Sequence, residues 1–480
     1  MKQYLIILAC VFTALPFLSH AQLNYIEQGD KIGFNMDTYG RVGVDWNYDN
    51  GGSIGRRLNL NNLGSIGGRL EEQDYLELVP AFNFKPFNED DPTKIKVQTR
   101  FAVYSNSLSL FGNSSTSSLG GLTIAMPEIY AEASNINGKD LSIWIGARLY
   151  RKGEVHIADH FFFDDHSGQG FGVEYKNTRF ASIFVSSTDT TADVPPYFYL
   201  NIGDGVANIA LRQRNVLVLE HDFQLNNQNT LTGLFEFHRM GGAESDPIPS
   251  PFEEGDAPDV ILNYPSDHGF VYGLKLQSDL PSLGNSAYNT LAVRYGSRIA
   301  NGGDGGHSKT WVTYGAPDLE KLNFSGAYSL SIVDEIKFDL SEKNNFNGYF
   351  IFTQSKGAAD TKGMAKTYWG REVYNYKQDL TLGFRDVHYV TNKFHFLTEF
   401  HYSQRKDGEA PKYSYQKFSL APTFAPTGEK STGVRPHFRF IFSLSHYNDA
   451  AVDNLYSPYL QFVGKQKWGH YLGVKAEWWL

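Results

Sequence analysis

The chain has 480 residues, of which 41% are hydrophobic, 15% aromatic and 20% charged, and its formal net charge is −9. This composition excludes a helical membrane protein with several spans, because each span needs about 20 consecutive apolar residues and only one shorter apolar run is present. It also excludes an unfolded chain, which would contain few aromatic residues, and the mild acidity argues against nucleic acid as a partner.

The first residues have the layout of a secretory signal. A short basic start is followed by an apolar run over residues 4–17 and then by small residues that end at Ala21. We predict cleavage after Ala21, which leaves residues 22–480 as a single exported domain. The only cysteine, Cys10, lies in the segment that is removed, so the exported protein has no disulfide and no thiolate nucleophile. The run is too short for the alternative interpretation, a helical membrane anchor.

The exported part reads as one long series of strands. Along residues 34–46, Phe34, Val42 and Val44 occupy one parity, whereas polar residues such as Arg41 occupy the other. Alternation with a period of two is typical of a strand with one apolar and one polar face. The same alternation recurs in the segments 75–84, 95–104, 171–186, 215–239, 268–296, 326–354, 378–403, 413–423, 435–447 and 458–480.

The connections between these strands alternate in length. The short ones are polar and cover residues 84–95, 223–231 and 340–346. The long ones are rich in Gly, Ser, Asn and Asp and cover residues 47–72, 105–122, 240–267 and 355–377. Short turns at one end and long loops at the other are typical of an outer-membrane barrel. At about 20–25 residues per strand and connection, the chain predicts an all-β, transmembrane antiparallel β-barrel of 16–18 strands.

The polar parity also carries aromatic rings. Tyr39 lies two residues from Arg41, Tyr75 lies two residues from Glu77, and Trp479 ends the last predicted strand. A ring beside a charged group, both facing water, suits sugar binding, because the apolar face of a pyranose stacks on the ring while its hydroxyls exchange hydrogen bonds with the charge. The alternative is that such rings only fill space or belong to the interfacial girdle of a barrel.

Residues 143–173 read IWIGARLYRKGEVHIADHFFFDDHSGQGFGV and resemble the maltoporin family of sugar-specific porins. Members of that family carry Ile-Trp-x-Gly-x-Arg-x-Tyr, then Val-His and Asp, aromatic residues and a Ser-Gly-x-Gly loop. The similar positions are Trp144, Gly146, Arg148, Tyr150, Val155, His156, Asp159, Phe161, Phe162, Phe163, Ser167, Gly168 and Gly170. The triplets at 39–41, 75–77 and 477–479 extend the resemblance to both ends of the exported chain.

The resemblance implies an 18-stranded barrel in the outer-membrane lipid, a homotrimer, with a third loop folded inward as a constriction. It implies passive facilitated diffusion of sugars of the maltose or oligosaccharide type, with no enzymatic reaction and no cofactor. The aromatic path that it implies consists of Tyr39, Tyr75, Tyr288 and Trp479. The polar track and constriction that it implies consist of Arg41, Arg69, Glu77, Lys152, Glu154, Asp159 and, where the family has Tyr, Phe161.

The sequence departs from the family in three places. Residues 105–122 contain no Trp, Gly433 stands where the family has an aromatic before Arg435-Pro436, and Ala131 replaces an arginine. Long maltodextrins need the whole aromatic path, so these departures favour a shorter or different sugar. The alternative function is a general or ion-selective porin of the same fold without a specific sugar site.

Two further motifs suggest other chemistry. Gly51-Gly52-Ser53-Ile54-Gly55 has the Gly-x-Ser-x-Gly pattern of esterases, but it lacks the apolar strand and the helix that such a serine needs. His156, Asp159, His160, Asp164, Asp165 and His166 could be metal ligands, although the resemblance favours a polar constriction loop. We therefore expect no esterase and no metal site. The near-repeat GSIGRRL at 52–58 and GSIGGRL at 64–70 has no explanation at this level.

Overall fold

The structure is a computed structural model, and it describes residues 24–28, 32–46, 58–86, 90–105, 122–186, 213–244, 263–284, 286–302, 313–318, 320–360, 364–368 and 371–480. The segment with the expected cleavage after Ala21 lies outside these residues. So do the Gly-x-Ser-x-Gly motif at 51–55 and nearly all of the long loop at 105–122.

Within the described part, eighteen antiparallel strands form one closed sheet, and each strand pairs with its neighbours in the chain. Their bounds are β1 Ile32–Trp46, β2 Tyr75–Phe84, β3 Lys94–Ser105, β4 Leu122–Ser134, β5 Leu141–Arg148, β6 Gly168–Tyr175, β7 Thr178–Ser186, β8 Gln213–Gln224, β9 Asn229–Met240, β10 Asp267–Asp279, β11 Tyr288–Arg298, β12 Tyr328–Ser341, β13 Asn344–Lys356, β14 Tyr376–Tyr389, β15 Phe394–Asp407, β16 Tyr413–Phe424, β17 His437–Tyr447 and β18 Trp468–Trp479. The predicted transmembrane-type β-barrel is confirmed, at the upper end of the expected strand count.

The barrel closes between its first and last strands. β18 pairs antiparallel with β1, and Trp479 lies opposite Tyr39. Thr38 and Leu480 exchange two backbone hydrogen bonds, of 2.8 and 3.0 Å, at the end of this seam. A short strand, Asn24–Gln28, pairs with residues 32–35 at the start of β1, which β18 does not reach. Closure pairs the backbone groups of the edge strands, as a sheet within a bilayer requires.

The two faces of the sheet differ as the sequence predicts. Val44 and Phe82 lie on the apolar parity, and their side chains point outward, 53% and 47% exposed. On the other parity, Glu77, Val79 and Ala81 are buried inside the barrel. Because successive side chains of a strand point to opposite faces, one parity meets lipid and the other meets the bore.

One predicted strand segment is partly wrong. The segment 458–480 was expected to be a strand throughout, but residues Pro458–Val463 form a helix, α2, and β18 begins only at Trp468. Pro458 suits the first turn of a helix, and the Ser457 hydroxyl caps it by accepting a hydrogen bond from Tyr459 N at 3.2 Å. In the described ranges, helices are short, and none has the length and apolar character needed to cross a membrane.

The remaining elements are small. The first helix, α1, spans Asp449–Asp453. Three 3-10 turns span Ile136–Gly138, His156–Ala158 and Pro281–Leu283. Short strand pairs join Glu154–Val155 to His160–Phe161, Ala243–Glu244 to Asn263–Tyr264, and Met364–Tyr368 to Arg371–Tyr374.

A first inner segment, residues 58–74, folds into the barrel and packs on β16 and β17. The Tyr415 hydroxyl lies 2.8 Å from both Asn59 Oδ1 and the Gly67 carbonyl oxygen, and the Tyr447 hydroxyl donates to the Leu58 carbonyl at 2.6 Å. Gly67 has a φ of 99°, and a Cβ there would lie 2.1 Å from the Tyr415 hydroxyl. The second copy of the near-repeat therefore needs its glycines for close packing against the wall.

The constriction loop, residues 149–167, also lies inside the barrel, as expected. Its Phe163 is fully buried. Asp164 pairs with Lys275 of β10 at 3.5 Å, and His166 contacts Glu236 of β9 at 3.1 Å. These partners stand on the third and fourth strands after β6, whereas His156 of the same loop lies 3.1 Å from Arg435, which precedes β17. The loop therefore crosses the bore instead of extending away from it.

We predict that Lys417→Met releases the first inner segment. Lys417 and Glu71 are 1% and 0% exposed and lie 2.7 Å apart, so the substitution leaves a buried carboxylate without its cation. Breaking such a pair costs about 3–5 kcal/mol. Single-channel conductance in a planar bilayer should rise, and the unfolding temperature followed by heat-modifiable gel mobility should fall.

The matched control is Lys465→Met, whose pair with Asp453 is largely exposed at 3.2 Å. An exposed pair contributes about 1 kcal/mol or less, so its conductance and unfolding temperature should match those of the wild type. Wild-type conductance and stability in Lys417→Met would show that this pair does not hold the segment.

Candidate functional site

One large cavity, which we call the main cavity, lies between the wall formed by β1 to β3, the first inner segment and the constriction loop. Its volume is about 660 Å³. Most of the residues that the resemblance assigned to a site line it. They are Tyr39, Tyr75, Trp479, Arg41, Arg69, Glu77, Glu154, Asp159 and Phe161. Residues from two ends of the chain and from two loops thus meet at one place in the bore.

A continuous row of aromatic rings runs along this wall. The ring of Tyr39 lies 5.7 Å from that of Trp479 and 5.7 Å from that of Tyr75, between centroids. Tyr75 in turn stacks on Tyr104 at 6.0 Å. The four rings stand on four neighbouring strands, β18, β1, β2 and β3, and all belong to the inward parity. We call Trp479, Tyr39, Tyr75 and Tyr104 the aromatic row.

Charged side chains hold the rings of the row in place. The Tyr39 hydroxyl donates to Glu477 Oε1 at 3.0 Å and accepts from Arg41 Nη1 at 3.2 Å. The Tyr75 hydroxyl donates to Glu77, whose other oxygen pairs with Arg100. The phenol hydroxyls of Tyr39 and Tyr75 are thereby bonded to carboxylates, and the Arg41 guanidinium also lies over the Tyr75 ring, 5.3 Å from its centroid.

The two inner segments meet at Arg69. Its guanidinium lies 3.2 Å from Glu72 of the same segment, and 3.4 Å from Glu154 and 4.0 Å from Asp159 of the constriction loop. Close to this junction, the guanidinium of Arg151 stacks over the Phe161 ring at 3.8 Å. The narrow side of the cavity is therefore built from ion pairs between loops.

His156 connects this junction to Arg435, which precedes β17. Arg435 Nη2 lies 3.1 Å from His156 Nε2, and His156 Nδ1 lies 3.3 Å from Glu154 Oε1. A guanidinium can only donate, so Nε2 accepts from Arg435, and Nδ1 lies at the same 3.3 Å from Arg69 Nη1 as from Glu154. Burial lowers the pKa of His156, and although the Glu154 hydrogen bond opposes this, the imidazole stays neutral at pH 7.

Asp159 lies where the constriction loop faces the cavity. Burial raises the pKa of its carboxyl above the usual 3.8, and repulsion from Glu72 adds to the rise. The 41% of its side chain that is exposed faces the cavity. Its φ of 45° is left-handed, a conformation that Asp and Asn tolerate better than other side chains with a Cβ.

Two residues assigned to the site lie elsewhere. Lys152 and Tyr288 line a second cavity of about 440 Å³, together with Glu335 of β12. Glu154 borders both cavities, so the constriction loop separates them. Tyr288 therefore does not stand in the row formed by the other three predicted aromatic residues.

The His/Asp run from 156 to 166 does not converge. His156 contacts Arg69 and Glu154, whereas Asp164 and His166 contact different strands on the far wall. Among the residues with described positions, no group of three His, Cys, Asp or Glu side chains is placed to hold a metal ion. The run serves to attach the loop to both walls.

Sequence reasoning missed three members of the site. Tyr104 and Arg100 lie on the polar parity of β3, directly beside the Tyr75–Glu77 pair, so pairing the second and third predicted strands would have found them. Arg435, which stacks over the Trp479 ring at 4.5 Å, has no such signal, because it follows a loop and precedes β17. It places a cation beside the row, two residues after Gly433.

Comparison with known proteins places the chain in a family. The profile of the family described as LamB porin matches residues 34–479. No curated protein matches the chain significantly. Among solved structures, OccAB1 of Acinetobacter baumannii is similar at 8% identity with a TM-score of 0.47, and the alignment covers 96% of this chain and 99% of that one.

Two other solved structures show similar values. OmpF of Salmonella typhi, in a complex with daunomycin, is 9% identical with a TM-score of 0.41, and 95% of this chain and 100% of that one are covered. OprD of Pseudomonas aeruginosa is 8% identical with a TM-score of 0.40, and 93% of each chain is covered. Because the family profile spans nearly the whole chain and the sheet closes as an 18-stranded barrel, this protein belongs to the LamB porin family and is an outer-membrane channel.

Proposed function

We propose that this channel carries sugars of the maltose or short-oligosaccharide type by passive, facilitated diffusion. The aromatic row is the observation that carries the proposal. Its centroid spacings of 5.7, 5.7 and 6.0 Å form a continuous apolar strip along a polar bore. A pyranose has an apolar face that stacks on such rings, so a sugar can pass from one ring to the next without losing contact.

The hydrogen-bonding groups beside the row complete the recognition. Glu477, Arg41 and Glu77 already hold the phenol edges, so their remaining donor and acceptor positions are fixed before a ligand arrives. Sugar hydroxyls exchange hydrogen bonds with such groups at little cost in side-chain entropy. Each contact is weak, as release at the other end requires, and the transport involves neither a reaction nor a cofactor.

The dimensions and the departures from the family favour small sugars. A cavity of about 660 Å³ lies within the range of about 300–1,000 Å³ that small-molecule sites occupy. Tyr288 stands outside the row, and Phe161 lacks the hydroxyl of the family's Tyr. The continuous strip is therefore four rings long, which suits a sugar of a few units better than a long dextrin.

A second candidate is an ion-selective porin of the same fold without a sugar site. The density of ionised groups at the narrow side of the cavity favours it, since Arg69, Glu72, Glu154 and Asp159 all meet there. A purely ion-selective channel needs the charges and not the rings. Block of the ionic current by sugars therefore separates the two functions.

We further propose export by removal of residues 1–21 and assembly as a homotrimer in the outer membrane. Both follow from the signal layout and from the family. The amino-terminal sequence of the protein purified from outer membranes should begin at Gln22, because Ala21 precedes the expected cleavage site. Chemical cross-linking of the same preparation should give a trimer as the largest product. A start before residue 22, or a cross-linked dimer as the largest species, would contradict these proposals.

We predict that Trp479→Ala weakens current block by maltose in a planar bilayer. Stacking on one ring contributes about 0.5–1.5 kcal/mol, so the half-blocking concentration should rise about three- to ten-fold. The matched control is Trp468→Ala at the other end of the same strand, on the outward parity, where the ring contacts His446. Its half-blocking concentration should equal that of the wild type. Equal block in Trp479→Ala and wild type would remove the row from the sugar path.

We also predict a pH-dependent change in ion selectivity that belongs to Asp159. Its carboxylate attracts cations when it is ionised. Because its pKa is raised above 3.8, the carboxylate takes up a proton and loses its charge at a higher pH than an ordinary Asp does. The reversal potential in a KCl gradient, measured from pH 7 to pH 4, should show cation preference decreasing through this range.

In Asp159→Asn this step should be absent, and asparagine tolerates the left-handed backbone at this position. Asp453→Asn, which removes an exposed carboxylate of α1, should retain the step. A wild-type pH profile in Asp159→Asn would show that Asp159 does not face the conducting path.

A further inference from the structure

A small pocket opens beside the main cavity, separate from the cavity that Lys152 and Tyr288 line. Most of the charged residues that line this pocket are cations. It is lined by Arg41, Arg69, Arg385, Arg435, Arg439 and Lys475. We call it the arginine pocket. Two carboxylates, Glu72 and Glu477, line it as well, and Glu399 lies behind Arg385 as that residue's partner. Glu154 and Asp159 reach Arg69 from the constriction loop, so six cationic side chains face five carboxylates.

The carboxylates present do not saturate these cations. Glu477 is bonded to Arg435 at 2.7 Å and to His437 at 3.2 Å, and Arg439 approaches it only to 3.7 Å. Side-chain exposure is 6% for Arg435 and 10% for Arg439. The Nε–H of each of these two arginines has no hydrogen-bond partner among the described residues.

Buried, unpartnered guanidinium donors indicate a binding site for an anion. An unsatisfied buried donor costs about 1–3 kcal/mol, and more when it is charged, so native proteins keep few of them without a reason. A carboxylate offers two oxygens and a negative charge, and guanidinium groups bind it through strong charge-assisted hydrogen bonds. An anion in this pocket would accept hydrogen bonds from these two Nε–H donors.

The size of the pocket restricts the anion. Its volume is about 30 Å³, and a single water needs about 10–15 Å³ measured in the same way. That space accepts the two oxygens of a carboxylate better than the four of a phosphate. A free chloride ion has the same charge and a similar size, so the experiment must distinguish the two.

The pocket is adjacent to the aromatic row. Arg41, Arg69 and His156 line both the pocket and the main cavity. Arg435 touches the row directly, because its guanidinium lies over the Trp479 ring. A sugar stacked on Trp479 and Tyr39 would therefore be able to place a charged substituent in the pocket.

We propose that the arginine pocket binds the carboxylate of an acidic sugar, so that the channel prefers uronic acids to neutral sugars of the same size. This inference rests on the proposed sugar function and names a substrate class for it. The row binds the ring of the sugar, and the pocket selects for its charge.

The test compares current block by glucuronate and by glucose in planar bilayers. The two sugars share a ring size and differ at the carboxylate. Charge-assisted hydrogen bonds should make the half-blocking concentration of wild-type channels about ten-fold lower for glucuronate than for glucose. Arg439→Gln should bring this ratio toward one, because it removes a cation and the unpartnered Nε–H together.

Two further variants complete this test of the arginine pocket. Arg439→Lys keeps the charge but removes the Nε–H, so it should give an intermediate ratio. If the Arg439→Gln protein lacks heat-modifiable gel mobility and therefore does not fold, Arg439→Lys replaces it in the test. Lys337→Gln is the matched control, since Lys337 lines a separate cavity with Asp339 and Tyr389. The ratio in Lys337→Gln should equal that of the wild type.

The outcomes separate the failure of this inference from failure of the proposed function. Block by glucose with an equal half-blocking concentration for glucuronate overturns the inference and leaves the sugar channel standing. No block by either sugar overturns both. Acetate serves as a free carboxylate: if acetate or chloride removes the glucuronate preference at equal concentration, the pocket holds a free small anion and the sugar carboxylate is excluded. A wild-type ratio in both Arg439 variants also overturns the inference.

Discussion

The architecture depends on one constraint, the absence of water around the backbone inside a membrane. Every N–H and C=O group must then find its partner within the protein, and a sheet meets this requirement only by closing on itself. The pairing of β1 with β18 closes the sheet, and the two hydrogen bonds between Thr38 and Leu480 pair the backbone groups at the end of this seam. Closure also fixes which parity of each strand faces lipid. Tyr39 and Arg41, two residues apart, must therefore both face the bore.

The two inner segments shape the bore as much as the strands do. The first inner segment and the constriction loop occupy much of it, and both carry charges into a buried environment. Such charges are tolerated only with partners, so each segment is tied to the wall by ion pairs, such as Lys417 with Glu71 and Lys275 with Asp164. The space left beside β1 to β3 is the main cavity. The position of the path thus follows from where the inner segments are attached.

In the function that we propose, two features of the cavity act on different parts of a sugar. The aromatic row would contact its ring, and the arginine pocket would donate to its negative charge. Arg41 belongs to both, since it holds the Tyr39 hydroxyl and also lines the pocket. The resemblance places an aromatic of the maltoporin family at the position of Gly433, just before Arg435-Pro436. Without that ring, the cation of Arg435 is what stands over Trp479 at this place.

The sequence determined the barrel, because a period of two is a local property that each strand displays by itself. It also determined that Tyr39, Tyr75 and Trp479 face inward, and they lie on adjacent strands at the seam, where parity and chain order suffice. The sequence did not separate Tyr288 and Lys152 from these three residues. The alternation along a strand predicts that a residue faces the bore, but it does not predict which part of the bore the residue lines. The path of residues 58–74 was decided by tertiary structure alone. Those residues have no period, and their partners, such as Tyr415 for Asn59, lie 356 residues away in the chain.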